Sequence, residues 1–306
     1  MAQGDNRSPG PRRSTAALIL SSLRPEQWTK NLFVFAGILF GRRLTDASAL
    51  GEAFVAFLIF CALSGAIYLF NDVADREADR LHPIKRNRPV ASGALPPGTA
   101  IVVGVLLVCS ALAVASTISV ALLGVAASYA TLLTLYSAWL KHVVILDVLA
   151  IAAGFVLRAA GGAVAVQVPS SEWLLICTTL LALFLALSKR RHELTLLSEG
   201  ASGHRPILQE YTPYLLDQMI GVVTASTLVA YCFYTINPDT AAKLGTARLP
   251  VTIPFVLYGI FRYLYLVHLR REGGNPSTLL VTDRPLLVCV ALWGISVVLL
   301  LYSPLG

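Results

Sequence analysis

Apolar runs long enough to cross a bilayer as helices recur through almost the whole chain, and they leave few folds open. A soluble core helix would carry a polar face, and these stretches mostly lack one. Composition agrees: of 306 residues, 56% are hydrophobic and 13% charged, far too apolar for a soluble domain of this size. The sequence therefore predicts an all-α polytopic membrane protein with nine spans, at roughly 24–42, 51–70, 98–117, 119–139, 143–162, 171–189, 214–235, 249–269 and 285–304. The first is the most polar, with Arg24, Glu26, Gln27, Lys30 and Asn31 ahead of an apolar second half, which puts one of its ends in an aqueous cavity. Residues 1–15, rich in Gly, Pro and Arg, read as a disordered N-terminal tail without a signal peptide, and 16–306 as a single transmembrane domain.

The basic residues set the orientation. Arg7, Arg12, Arg13, Arg24 and Lys30 flank the first span, and Arg76, Arg80, Lys85, Arg86 and Arg88 fill the second connection. The same side receives Lys141, then Lys189, Arg190, Arg191 and Arg205, then Arg262, Arg270, Arg271 and Arg284. Only Arg42, Arg43, Lys243 and Arg248 fall on the other side, so the richer side is expected to be cytoplasmic in a bacterial inner membrane. The net charge of +7 is thereby concentrated on one face, which suits lipid headgroups and phosphorylated substrates rather than nucleic acid. Most of these residues would be present for topology whatever the protein did. The five cysteines, Cys61, Cys109, Cys177, Cys232 and Cys289, each lie inside an apolar run without a CxxC pair and read as small buried hydrophobes.

Asn71-Asp72-Val73-Ala74-Asp75-Arg76-Glu77-Ala78-Asp79-Arg80 begins where the second apolar run stops. On a helix advancing roughly 100° per residue, Asp72, Asp75 and Asp79 fall within an arc of about 60°. Three like charges on one face weaken a bare helix and ask for a cation. Carboxylate oxygens with room for water suit Mg²⁺, which when so held usually also holds phosphate. The basic run that follows, with Lys85 and Arg88, matches such a phosphate. The plainer reading is a solvated, charge-mixed helix end, since Arg76, Glu77 and Arg80 are interleaved.

Two further polar groups interrupt the apolar pattern. Arg158 lies inside the fifth span and must face the bundle interior; Asp147, eleven residues earlier, points the same way about 16 Å along a helix, too far for a direct pair. Either both line one cavity, or each pairs with another helix. Gly154, Gly161 and Gly162 would let neighbouring helices approach closely. The sixth span ends in Ser188-Lys189-Arg190-Arg191-His192-Glu193, where Lys189 and Glu193 are either a simple i, i+4 pair or ligands for phosphate and hydroxyl. The polar connection 198–213 reads as mobile or as a lid. No P-loop, GxGxxG, GxSxG or HExxH pattern is present.

Arg24-Pro25-x-x-Trp28-x-Lys30-Asn31, the Asn71-Asp72-x-x-Asp75-x-x-x-Asp79 signature, Pro83-x-Lys85-x-x-Arg88-Pro89, Ser92-Gly93, Tyr136 and Lys141 together resemble the UbiA superfamily of membrane prenyltransferases over most of the chain. The resemblance implies a bundle of nine transmembrane helices around one cavity, open to the cytoplasm and the bilayer, where an Mg²⁺-bound diphosphate leaves and a lipid is joined to an acceptor. Typical members carry a second, DxxxD-type motif between the sixth and seventh spans. Here that stretch is basic and holds no aspartate before Asp217. The departure is similar to a branch that transfers 5-phosphoribose from phosphoribosyl diphosphate (PRPP) to a decaprenyl-type polyprenyl phosphate, for cell-wall arabinan precursors. That branch also has Leu157-Arg158-Ala159 before Gly161-Gly162, the Lys189-Arg190 cluster with a following Glu, and Asp283-Arg284 ahead of the last span.

The resemblance implies these roles. Asp72, Asp75 and Asp79 hold Mg²⁺ on the PRPP diphosphate and are the catalytic residues; Asn71 positions a ribose or phosphate oxygen. Lys85, Arg88, Lys189 and Arg190 neutralise phosphates, with Glu193 as a substrate ligand beside them, while Lys30, Asn31, Lys141 and Arg158 are candidates for the second anion. The already ionised acceptor phosphate attacks C1 of the ribose without a general base. The charge balance fits independently, because two anionic substrates need more cations and fewer carboxylates than a prenyl diphosphate with a neutral ring. A prenyltransferase acting on an aromatic or other small acceptor is the first alternative; a transporter or lipid-binding protein using Asp147 and Arg158 is the second. A homo-oligomer is compatible with either.

Overall fold

A computed structural model describes residues 14–169, 171–198, 206–269 and 276–303. Helices follow one another as α1 (Thr15–Ser22), α2 (Phe35–Phe40), α3 (Ala47–Ala74), α4 (Arg76–Leu81), α5 (Pro97–Ile118), α6 (Val120–Ala138) and α7 (Leu146–Ala165). The second half holds α8 (Glu172–Ser198), α9 (Pro213–Ile236), α10 (Pro238–Leu244), α11 (Ile253–His268), α12 (Pro276–Thr282) and α13 (Arg284–Tyr302). Short 3₁₀ stretches at Pro25–Val34, Lys85–Asn87, Leu140–His142, Pro206–Glu210 and Leu249–Thr252 link them, and the described residues contain no strand.

Among the described residues eight segments are long and apolar enough to span a membrane: α3, α5, α6, α7, α8, α9, α11 with its preceding 3₁₀ turn, and α13. The chain is an integral membrane protein. The first expected span, 24–42, is not one helix. Proline disfavours the right-handed helical region for the residue before it, and Arg24 turns to φ 53°, ψ 65° ahead of the 3₁₀ stretch and α2. Most of the tail, residues 1–13, and the middle of the expected lid, 199–205, lie outside the described residues; Tyr211, at the far end of that connection, is buried.

The most buried helices are α3 and α7, which pack on each other and on the broken first segment; α5, α6 and α13 are peripheral. Exposed Ile101, Val102 and Leu106 on α5, and Val288, Ile295 and Leu299 on α13, offer the apolar surface a bilayer requires. Glycine sets how closely α7 meets the first segment. A Cβ on Gly162 would overlap the Val34 carbonyl, and one on Gly37 would lie 2.5 Å from the Ala163 nitrogen. Gly161 packs against the Phe60 ring, whereas Gly154 faces no helix so closely and accepts a hydrogen bond from Arg158 at its carbonyl.

Gly162→Ala should therefore cost about 1–3 kcal/mol and lower the unfolding temperature in detergent. Gly124→Ala, where a Cβ meets nothing within 4 Å, should leave it unchanged or slightly raised.

Candidate active site

The Asp-rich stretch does not continue as one helix. α3 ends at Ala74, Asp75 takes φ −89°, ψ 6° as its C-cap, and α4 starts again at Arg76. The expected arc of three carboxylates is thereby opened. Mutual repulsion disfavours the continuous helix, and the break moves Glu77 and Asp79 into the first turn of a new one, where negative charge is favourable.

Asp72 and Asp79 nevertheless converge. Both are almost fully buried, at 2% and 3% exposure, and one guanidinium nitrogen of Arg88 donates to Asp72 at 3.2 Å and to Asp79 at 2.6 Å. Arg24 donates to Asp72 at 2.5 Å, and the Lys85 ammonium stands 3.9 Å from Asp79. Asp75 is exposed, and its carboxylate has no partner among the described residues. The charge-mixed surface is real but separate: Arg80 pairs with exposed Glu77 and donates to the Ala91 carbonyl.

Asn71 links this end of α3 to α6 by accepting a hydrogen bond from Ser137. The neighbouring Tyr136 hydroxyl accepts from Arg190 of α8 at 3.4 Å. Arg190, 1% exposed, donates to Asp147 at 2.7 Å and to Glu193 at 2.5 Å, and Glu193 lies 3.7 Å from Lys189. Tyr211 donates to the other Asp147 oxygen at 2.8 Å and accepts from the Ile145 amide. Burial pushes its phenol up to about 12, so it stays a donor at neutral pH. Asp147 and Arg158 thus belong to different partners rather than to one cavity wall.

Arg158 is held deep in the bundle at 8% exposure. It donates to Asn31 at 2.7 Å, to the Gly154 carbonyl at 2.9 Å and to the Tyr129 hydroxyl, with the Tyr129 and Phe155 rings beside its guanidinium. Asn31 in turn donates to Cys61 and Ser64 of α3. Among the described residues Arg158 has no carboxylate partner, and neither has Lys30, whose neighbouring charges are Lys189, Arg158 and Arg24. An unneutralised intramembrane cation is costly and marks a functional site by default. Lys141 lies in the 3₁₀ turn after α6, also without an ion pair.

The expected residues therefore fall into three connected groups: Asp72, Asp79, Lys85 and Arg88; Asn71, Lys189, Arg190 and Glu193; Lys30, Asn31 and Arg158. Arg24 joins the Asp72 end of the first group to Lys30 of the third and was expected only as part of a motif; its adjacency to Pro25 was the readable sign of an unusual backbone. Tyr129 and Tyr211 lay inside or beside apolar runs without any sequence signal.

The donor set suits Mg²⁺. Asp72 and Asp79 already share one cation, the Arg88 guanidinium, and exposed Asp75, at the break between their helices, has no partner among the described residues. No group of three or more His, Cys, Asp or Glu forms a closed metal cage among the described residues. An ion that keeps waters and binds through one or two carboxylates plus phosphate needs none.

Residues 31–282 match the UbiA prenyltransferase family. A decaprenyl-phosphate phosphoribosyltransferase from Mycolicibacterium smegmatis is 32% identical over 295 residues, covering 93% of this chain and 92% of the relative. One from Corynebacterium glutamicum is 31% identical over 303 residues, covering 97% and 91%. In fold, the chain resembles a UbiA homolog from Archaeoglobus fulgidus bound to GPP and Mg²⁺, with TM-score 0.70 at 19% identity, covering 92% of this chain and 99% of the other.

Breaking a buried ion pair from one side leaves the other charge stranded. Arg190→Met should cost about 3–5 kcal/mol and lower the unfolding temperature markedly, and adding Asp147→Leu should regain part of the loss.

Proposed function

Because the chain belongs to the UbiA prenyltransferase family, we propose that it transfers 5-phosphoribose from PRPP to a polyprenyl phosphate of the decaprenyl type, releasing diphosphate. The activity borne by the names of its relatives from M. smegmatis and C. glutamicum supports this reading. The observation that carries it is the pair Lys30 and Arg158: two neighbouring cations, reached from the Asp72–Arg88 end through Arg24, with no carboxylate partner among the described residues. A prenyl diphosphate with a neutral acceptor would leave this charge without a use. A second phosphate balances it.

In this reading Asp72, Asp75 and Asp79 hold Mg²⁺ on the donor diphosphate, a role supported by the Mg²⁺ bound to the A. fulgidus homolog. Bound there, Mg²⁺ would supply positive charge to the leaving diphosphate. Arg88 and Lys85 exchange their aspartate contacts for phosphate oxygens, which keeps the two acids from repelling each other before the donor arrives. Lys189, set by Glu193, faces the donor, while Arg190 fixes Glu193 from behind through Asp147. Asn71 holds a ribose or phosphate oxygen. Lys30, Arg158 and Asn31 hold the acceptor phosphate, with Lys141 at the mouth of the site. An acceptor oxygen, ionised at pH 7, forms the new bond to C1 of the ribose as the C1–O bond to diphosphate breaks, so no proton need be removed. The polyprenyl tail lies against apolar helix faces open to lipid. The site faces the cytoplasm, where PRPP is made soluble by its charge, and the product feeds cell-wall arabinan synthesis.

With labelled PRPP, decaprenyl phosphate and Mg²⁺, purified protein in detergent should place label in the organic phase, and EDTA should abolish it. Asp75→Asn removes no contact within the protein, so a loss of about 100-fold or more with unchanged unfolding temperature would be chemical in origin. Asp79→Asn should lose activity comparably, but it also breaks the ion pairs to Arg88 and Lys85, so its unfolding temperature should fall as well. Full activity in both variants, or turnover of a prenyl diphosphate with a neutral acceptor instead, would overturn the proposal.

A further inference from the structure

On α3, Cys61, Ser64, Tyr68 and Asn71 recur at intervals of three and four residues, with Asp72 four after Tyr68, and so share one face, a polar stripe in an otherwise apolar helix. Four of them have hydrogen-bond partners: Cys61 and Ser64 with Asn31, Asn71 with Ser137, and Asp72 with Arg24 and Arg88. The Tyr68 hydroxyl has none among the described residues. Its ring is fixed beneath the Arg24 guanidinium, 4.5 Å from its centroid. The charges felt by its hydroxyl are those of Arg158, Arg24 and Glu26, and Tyr136 is a further neighbour. Tyr68 therefore stands between the carboxylate end of the site and the unbalanced cations, about 6 Å along α3 from Asp72.

We propose that Tyr68 binds the acceptor, donating its hydroxyl proton in a hydrogen bond to the phosphate of the polyprenyl phosphate; the assignment rests on the phosphoribosyl-transfer reading above. The ligand chemistry is a phosphate monoester, which the 5-phosphate of PRPP also offers. Depth favours the acceptor. A lipid-borne phosphate enters from the bilayer side and meets Arg158, which bonds Asn31 at the level of Ser64, about two turns along α3 from the Asp72 that takes the diphosphate. Arg24 over the ring fixes the phenol in place, so that the hydroxyl adds direction to an attraction that Arg158 and Lys30 supply as charge.

Tyr68→Phe keeps the ring under Arg24 and should leave the unfolding temperature unchanged. Titration calorimetry of the purified full chain in detergent, with farnesyl phosphate as probe, should show affinity weakened roughly tenfold or more, the scale of a lost hydrogen bond to a charged group. Affinities for ribose 5-phosphate and for Mg²⁺–diphosphate should not move. Unchanged farnesyl phosphate affinity in the variant, absence of farnesyl phosphate binding by the unmodified protein, or a loss directed at ribose 5-phosphate would each overturn the assignment. Binding needs no turnover: a protein that holds farnesyl phosphate through Tyr68 yet never transfers phosphoribose would overturn the proposed reaction and leave this inference standing.

Discussion

A charge removed from water inside a helical bundle must be paired, hydrogen-bonded or given to a ligand, and the disposition of this protein follows from how each buried charge meets that requirement. Asp147 and Arg190 meet it with each other, helped by Tyr211 and Glu193. Asp72 and Asp79 meet it with Arg88 and Arg24, which approach from the polar end. Among the described residues Arg158 and Lys30 meet it with no carboxylate, and the hydrogen bonds from Arg158 to Asn31, Gly154 and Tyr129 orient its charge without cancelling it. The bundle thus holds a neutralised pair at Asp147–Arg190, a positive region at Arg158 and Lys30, and bridged carboxylates at its polar end, an arrangement suited to the two anions proposed above.

The fold serves that arrangement through close packing. Small residues at Gly37 and Gly162 bring the broken first segment against α7, and this contact places Asn31 within reach of Arg158. The 3₁₀ geometry matters for the same reason. A regular helix over 24–42 would continue through Arg24, whose left-handed turn directs its guanidinium toward Asp72 and the Tyr68 ring. The proposed binding residues Lys30 and Asn31 are thus supplied by a segment too polar and too irregular to be a lipid-facing helix, packed against α3 and α7.

Much of this was legible in the sequence because it depends on local pattern. Apolar run length located eight spanning helices, and the aspartate spacing singled out Asp72 and Asp79, which folding brings to one guanidinium. Arg158 stood out because an arginine in such a run can only face inward. Other features depend on contacts between distant segments. Sequence spacing placed Asp147 and Arg158 on one face but not their partners, which come from α8, from Tyr211 and from the first segment. Nor does helical periodicity reveal that α3 stops at Asp75, because the break reflects repulsion among acids relieved by starting a second helix. Arg190 shows the limit best: in sequence it is one of three consecutive basic residues, and only folding distinguishes its buried pairing from the more exposed Lys189 and Arg191.

The central claim is that two phosphorylated ligands occupy adjoining subsites at once. Thermal unfolding of the purified protein, followed with saturating Mg²⁺–diphosphate, with farnesyl phosphate, and with both together, tests it directly, since each ligand bound to the native state stabilises it by mass action. The account predicts that the two shifts add. Mutual exclusion, with the combined shift no larger than that of the tighter ligand alone, would contradict it.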